Sequence, residues 1–380
     1  MLRNDDKLTE IQKLACMSVR IPLEFNARIL SSKDRERTLV ENHMRVCLRV
    51  DPGRETAYAI APSEPILAEA SCLVMQNPNF DLPRSLLAEL EHPGLDKGSR
   101  GELIVMTICL EARDAAVKQL SHSIIPVKDY IKALIANRHH DTVLHSKPRK
   151  ARTSDDAERT LADTFCSSNI YFNHFVKFRD RGVIGRDFLW RLIARGAAAI
   201  CTDGQPAIDV IIPFLYKDKV LRKENVSAFL IQSKNDKAYK AEPDTSLFDP
   251  IRPHDIGFFD EEETNVVPII RMVFALASST SSVTTINPPA RKQPSRTSTK
   301  NAKNFTAFDI WCAKASHDTF ESIKDDDVFQ KLLLQSYRHA EIYTTKRPAL
   351  EAMTRSMNPA SESNAVHWRQ FSSPPPPPPP

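Results

Sequence analysis

The densest apolar stretch of the 380-residue chain lies within 99–120. There Leu103, Ile104, Val105, Met106, Ile108, Cys109 and Leu110 leave almost no polar stripe, so the pattern predicts a helix buried on every side. A second helical stretch is expected over 123–137. The region 160–195 reads as helical again, with Phe188, Leu189, Leu192 and Ile193 at helical spacing and Gly196 as the stop. Beyond Gly196 the pattern changes. Residues 197–202, 208–216 and 226–233 are short runs, apolar on both faces or nearly so, which predicts buried strands in quick succession. Another strand is expected over 266–276, and 305–334 returns to an amphipathic helical pattern.

The flanks are less regular. Residues 1–90 mix strand-like alternation at 44–50 and 57–61 with a helical run at 66–75, and prolines at 52, 62, 65, 78 and 83 interrupt them. This reads as an irregular α+β segment, and its abrupt polar start suggests a truncated remnant of something longer. A domain over 91–340 follows. Within it, residues 147–158 are charged, contain Pro148 and are expected to form an inserted linker. The stretch 278–304, rich in serine, threonine and proline and carrying Arg291, Lys292, Arg296, Lys300 and Lys303, is expected to be a flexible basic loop. Residues 345–380 end in prolines 374–380 and are expected to be a disordered, polyproline-like tail.

Composition removes several function classes. There are only 9 glycines, and neither a G-x-x-x-x-G-K-[ST] nor a G-x-G-x-x-G pattern occurs, which argues against P-loop and Rossmann nucleotide binding. The formal net charge of +4 does not suggest a protein that coats nucleic acid. The 7 cysteines are scattered with no C-x-x-C pair, as expected of reduced thiols in an intracellular protein. Neither a secretory leader nor an apolar run of about 18 residues is visible, so a cytoplasmic or nuclear protein without a membrane partner is expected.

Three polar sites interrupt the apolar elements. Asp209 sits in Ala207-Ile208-Asp209-Val210-Ile211-Ile212, where a carboxylate is costly to bury without a partner or a metal. Gln232 and Lys234, two apart at the end of Phe229-Leu230-Ile231-Gln232-Ser233-Lys234, point to one face of a strand. Glu102 stands in the first turn of the buried helix, on a stripe with Val105, Met106 and Cys109. Each also has a plain structural reading: an ion-paired or turn-capping aspartate, a strand reaching solvent, and an acid favoured by the helix dipole.

Taken in order, a helix acid, a strand aspartate and a Q-x-K on the next strand resemble the PD-(D/E)XK superfamily of restriction-endonuclease-like nucleases, over roughly residues 98–276. The resemblance implies an α/β fold with a mixed sheet flanked by helices, built from a helix, three strands, a helix and a strand. It implies Mg2+, or Mn2+, held by Asp209, Glu102 and Gln232, with Lys234 orienting the attacking water and stabilising phosphate charge. It also implies a nucleic-acid partner, in the first place DNA. The chain departs from the pattern at Ile208, where a proline precedes the aspartate in the family, and at Gln232, which replaces a carboxylate. Residues 238–249, with Pro243, predict irregular backbone where the family has its second helix. Stretches including 173–179 and 188–199 also resemble a multi-copy group from mushroom-forming fungi, some of whose relatives are Crinkler-like. A catalytically inactive interaction or DNA-binding module is the alternative that this second resemblance leaves open.

Other candidates are weaker. His139, His140, His145 and Asp141 are metal-ligand types but read as a solvated loop beside the charged linker. His174 reads as a packed core histidine, and no G-x-S-x-G elbow occurs. Trp190 and Trp311 read as core residues of amphipathic helices. Basic clusters at 147–152, 217–223 and 291–303 are candidate phosphate contacts.

Overall fold

The computed structural model describes residues 8–25, 30–50, 57–91, 100–202, 205–217, 220–260, 263, 265–288 and 304–344. Its helices are α1 (Glu10–Arg20), α2 (Leu30–Glu41), α3 (Pro65–Met75), α4 (Leu82–Glu91), α5 (Arg100–Leu120), α6 (Val127–Leu134), α7 (His140–Leu144), α8 (Ser154–Glu158), α9 (Leu161–Thr164), α10 (Arg186–Ala194) and α11 (Asp326–Thr344). The strands are β1 (Val46–Val50), β2 (Ala57–Ile60), β3 (Ile125–Pro126), β4 (Asn169–Ile170), β5 (His174–Lys177), β6 (Ala197–Ile200), β7 (Val210–Leu215), β8 (Val226–Lys234), β9 (Ile269–Ala275), β10 (Ser282–Thr285) and β11 (Ala307–Ala313). The chain divides into a compact unit over Met1–Leu333 and a second over Leu334–Pro380, of which only the end of α11 is described. Among the described residues no helix is long and apolar enough to cross a membrane.

The fold is mixed α/β, with helices flanking a mixed sheet. Strands β6, β7 and β8 form an antiparallel meander, β9 lies parallel to β8, and β11 lies parallel to β9. Strand β10 closes one side against β11, while β5 pairs with β6 and β4 with the far end of β7. All seven residues of β9 and of β11 are buried, and both strands are apolar except for Arg271 and Asp309. Helix α5 lies against β7 and β8, and its stretch from Leu103 to Leu110 is buried throughout, as its sequence predicts. Burial pushes the Cys109 thiol up to about 12. Edge-to-face aromatic contacts join the layers, with ring centroids 5.6 Å apart for Tyr130 and Phe229 and 5.5 Å for Phe165 and Phe214.

Several expectations change in three dimensions. Residues 305–334 are not one helix: Ala307–Ala313 is a central strand carrying the buried Trp311, and helix resumes only at Asp326. A short run buried on both faces has the same apolar signature in either geometry, and tertiary pairing decided it. Residues 160–195 are helical only at their two ends; β4 and β5 lie between, with Phe172 and Phe175 packed at 5.7 Å. Residues 147–158 lie against the sheet: Lys150 exchanges backbone hydrogen bonds with Ala307, and Thr153 caps α8 by accepting from Asp156 N–H at 3.1 Å. The charged composition reflects that anchoring, because Arg149 reaches Asp309 and Asp249 at 3.3 Å each. In the stretch expected as a basic loop, 282–285 form β10; 289–303 and the proline-rich 345–380 lie outside the described residues.

The N-terminal segment belongs to the same unit as the sheet. Arg20, fully buried at the end of α1, meets the Asp114 carboxylate of α5 through two bonds of 2.7 and 2.8 Å, and its Nε donates to the Asn173 carbonyl at 2.8 Å. The connection between β8 and β9, whose described residues hold one short 3-10 turn at Thr245–Phe248, is held by a second buried pair. Arg271 on β9 makes two 2.6 Å bonds to Asp309 on β11 and donates to the carbonyls of Phe248 and Ile251 at 2.8 Å each.

Both partners of this pair are fully buried, so removing one leaves an uncompensated charge. Asp309→Ala should lower unfolding free energy by about 3–5 kcal/mol in urea titrations. Arg271→Met with Asp309→Leu should recover most of that loss, although the Phe248 and Ile251 carbonyls lose their donor.

Candidate functional site

The strand directions gather polar chemistry at one end of the sheet. Strands β5, β6, β8, β9 and β11 all finish there, and β7 starts there. In open α/β sheets the carboxyl ends of strands, where the ladder stops and loops diverge, are the usual ligand-binding edge.

Asp209 immediately precedes β7 and is half-buried. The Val210↔Ile231 pair places it one step further along, opposite Gln232. Its backbone N–H donates to the Ile231 carbonyl at 2.9 Å, and its Oδ2 accepts the Ser233 N–H at 2.6 Å. The carboxylate therefore closes the β7–β8 ladder where the strand carbonyl that would accept this amide is missing. Burial pushes the Asp209 carboxyl above the usual range, while the Ser233 amide and the Lys234 charge pull it back. No arginine pairs with it among the described residues.

Gln232 is buried, and its Oε1 has no hydrogen-bond partner among the described residues. Ser233 Oγ and Asn235 Oδ1, on the same stretch, are likewise buried without a partner. Ser233 lies on the opposite face of β8 from Gln232, so the unsatisfied oxygen on the Asp209 face is Gln232 Oε1, which is where a cation or ordered water is sought first. Lys234, half-buried, lies on the Gln232 face two residues on, its Nζ 5.8 Å from the Tyr239 ring centroid.

Glu102 reaches this end from the opposite side. It lies in the first turn of α5, with Oε2 sealed from solvent. The helix start lies against the end of β8: a Cβ on Gly101 would lie 1.9 Å from Asn235 Nδ2, so the Asn235 side chain packs directly over the glycine beside Glu102. Cys201, one residue beyond β6, joins the two acids. Burial pushes its thiol up, and the charges of Asp209 and Glu102 push it further, so both carboxylates act on one sulfur. Its N–H also donates to the Asp209 carbonyl at 2.9 Å. A small hollow borders Glu102, Met106, Ile200, Glu24 and Lys177.

The structure thus brings Asp209, Gln232 and Lys234 onto one sheet end and Glu102 beside them. Cys201, hydrogen-bonded to Asp209 across β6 and β7, belongs to the same place, and a small thiol after an alanine run carries no distinctive sequence pattern. The oxygens there are two carboxylates and a neutral side-chain amide, and so fit Mg2+ better than a thiophilic metal. The His139–His145 region does not form a ligand cluster. His140 Nε2 and His145 Nδ1 bond to backbone carbonyls, and among the described residues no group of three His, Cys, Asp or Glu side chains is arranged to hold a metal.

The raised carboxyl of Asp209 generates a stability prediction. Its folded-state proton affinity exceeds the unfolded value, so its stabilising contribution is complete below about pH 4 and is lost as pH rises through the folded value. Asp209→Asn keeps an acceptor for the Ser233 amide and removes the charge. In metal-free buffer at pH 7 its melting temperature should equal or exceed that of the wild type, with the difference vanishing near pH 3. Asp209→Ala leaves the amide unpaired and should cost about 1–3 kcal/mol.

No curated protein and no solved structure matches the chain. One family model matches residues 3–248, which include Glu102, Asp209, Gln232 and Lys234 and end before β9. On that match the chain belongs to the family described as a domain of unknown function, DUF8736.

Proposed function

We propose that the protein is a metal-dependent phosphodiesterase of the PD-(D/E)XK kind, acting on nucleic acid, in the first place DNA, in the nucleus or cytoplasm. The observation that carries this reading is the β7–β8 register, which sets Asp209 opposite Gln232 with Lys234 two residues on, at the sheet end where α5 presents Glu102. The order of elements agrees with it: a buried helix, an antiparallel meander and a further strand parallel to the third. The second helix of that arrangement is replaced here by the β8–β9 connection, whose described residues hold one short 3-10 turn.

Mg2+ bound here would supply Lewis acidity toward a phosphate oxygen and a more acidic water. Asp209 would be the principal charged ligand, because its carboxylate sits at the ladder end with one oxygen accepting the Ser233 amide. Gln232 offers a neutral oxygen, and Glu102 adds the second charge or orients a water. Two carboxylates neutralise one divalent ion, so a single-metal site is the natural stoichiometry. Lys234 places a positive charge beside the position where phosphate charge develops. Cys201 is a thiol held protonated, which contributes shape and keeps the floor of the site apolar.

The test is cleavage of plasmid and single-stranded DNA with Mg2+, Mn2+ or EDTA. Wild-type protein should cleave only with metal. Asp209→Ala and Lys234→Ala should each lose on the order of 100-fold or more, and Gln232→Ala about 10-fold. Metal-dependent cleavage that survives both Asp209→Ala and Lys234→Ala would remove these residues from the chemistry. A folded wild type that binds no Mg2+ by calorimetry and cleaves neither substrate would favour the inactive interaction module.

A further inference from the structure

A second constellation lies away from the sheet end, on the wall of a cleft of about 710 Å3 between the N-terminal segment and β5 with α10. Ser63, half-buried on that wall, is 3.0 Å through its Oγ from Nε2 of His174. His174 Nδ1 is 2.7 Å from Asn173 Oδ1, and Asn173 Nδ2 donates to Glu69 Oε2 at 2.9 Å. Both His174 and Asn173 are buried.

The proton positions follow from Glu69. An ionised carboxylate only accepts, so the Asn173 amide must turn its NH2 to Glu69 and its oxygen to the imidazole. The imidazole proton therefore sits on Nδ1, where it is donated to Asn173 Oδ1. Nε2 keeps its lone pair and accepts the Ser63 hydroxyl. Arg195 Nε donates to Ser63 Oγ at 3.2 Å, and Arg195 Nη2 donates to the Ser63 carbonyl, so a fixed positive charge faces the oxygen. Burial, with Arg20 and Arg195 nearby, lowers His174 to about 4, so the imidazole is neutral across the physiological range and, with Nε2 facing Ser63, is a weak base.

We propose that Ser63, His174 and Asn173 form an acyl-transfer relay, and that the cleft takes an ester with an apolar acyl chain. The substrate class follows from the lining. Leu23, Phe25, Ile60, Val176, Phe178 and Phe188 supply an apolar wall. The charges among them are already paired: Glu24 with Lys177 at 3.1 Å and Arg179 at 3.4 Å, Glu36 with Arg45 at 3.9 Å, and Arg195 with Glu64 at 3.9 Å. A phosphate or carboxylate ligand would have to break those pairs, whereas a neutral apolar chain would not. In the reaction Ser63 Oγ bonds to the ester carbonyl carbon while its proton passes to His174 Nε2. The carbon–oxygen bond to the alcohol then breaks, and the departing oxygen takes that proton. Water attacks the acyl-serine, again giving a proton to His174; the acid leaves, and the proton returns to Ser63. The sum is ester plus water giving acid plus alcohol, with no other reactant.

This activity is independent of the phosphodiesterase reading and needs no metal, so its assays are run in EDTA. The full chain is treated with an alkyl fluorophosphonate and mapped by peptide mass spectrometry. The adduct should form on Ser63 at least 100-fold faster than on any other serine, and a p-nitrophenyl octanoate hydrolysis that exceeds acetate hydrolysis should disappear in Ser63→Ala. Because His174 is a core residue, the second variant is the near-isosteric Ser63→Cys. Its new thiol, facing Arg195 and His174, should react with iodoacetamide at pH 7 at least tenfold faster than the exposed Cys166 of the same molecule. Absence of a Ser63 adduct on folded protein, labelling no faster than in urea, or an introduced thiol slower than Cys166 would each overturn the relay.

Discussion

The register of β7 on β8 is the constraint on which the candidate chemistry depends. Side chains alternate across a sheet, so a one-residue slip would move Gln232 and Lys234 to the other face and put Ile231 opposite Asp209. The slip is prevented because both strands are buried on both faces: every residue of β8 from Val226 to Gln232 and every residue of β7 from Val210 to Phe214 is buried. The parallel pairing of β8 with β9 and of β9 with β11 extends the same constraint across the sheet. A core that tolerates few polar atoms displaces them to the strand ends, and the end shared by β6, β7, β8 and the start of α5 is where they collect.

Much of this was legible in sequence for a physical reason. Asp209, Gln232 and Lys234 stand out because each interrupts a run of residues that otherwise demands burial, and Glu102 because it begins a helix with no polar face. The strands at 197–200, 210–215, 226–234 and 269–275 follow from the same runs. The misreadings have equally physical causes. Strand β11 has no alternation to separate it from a buried helix. Strand β5, His174–Lys177, pairs on one side only and is too short to impose a period. The anchoring of 147–158 was hidden because Arg149 and Lys150 look like surface charges until Asp309 and the β11 backbone are placed beside them.

The buried arginines were the least legible feature and do the most to join the unit. Arg20, Arg113 and Arg271 are fully buried, and in a sequence each resembles an ordinary exposed residue. Arg20 of α1 meets Asp114 on α5 at 2.7 Å and Arg113 on α5 meets Glu69 of α3 at 3.6 Å, so the N-terminal segment is joined to the core by charge and hydrogen bonding as well as apolar contact. A fork of donors held by a carboxylate and a backbone carbonyl fixes orientation in a way apolar packing does not. That fixed orientation places Ser63, on the N-terminal side of the cleft, within hydrogen-bonding distance of His174 on β5.

The two candidate sites are also physically adjacent. Glu24 and Lys177, bonded at 3.1 Å, line both the large cleft and the small hollow that reaches Glu102. Lys177 ends β5, and its register partner Ile200 directly precedes Cys201. The same strand therefore begins at the His174 imidazole and ends beside the acids of the sheet end. A change in how the N-terminal segment docks would move Glu24, and with it the boundary between the two. Because the segment is seated through Arg20 on Asn173, next to His174, the geometry of the serine relay is the first to respond. The Asp209 ladder is held independently by the paired strands, so the two sites can be perturbed separately even though they share a wall.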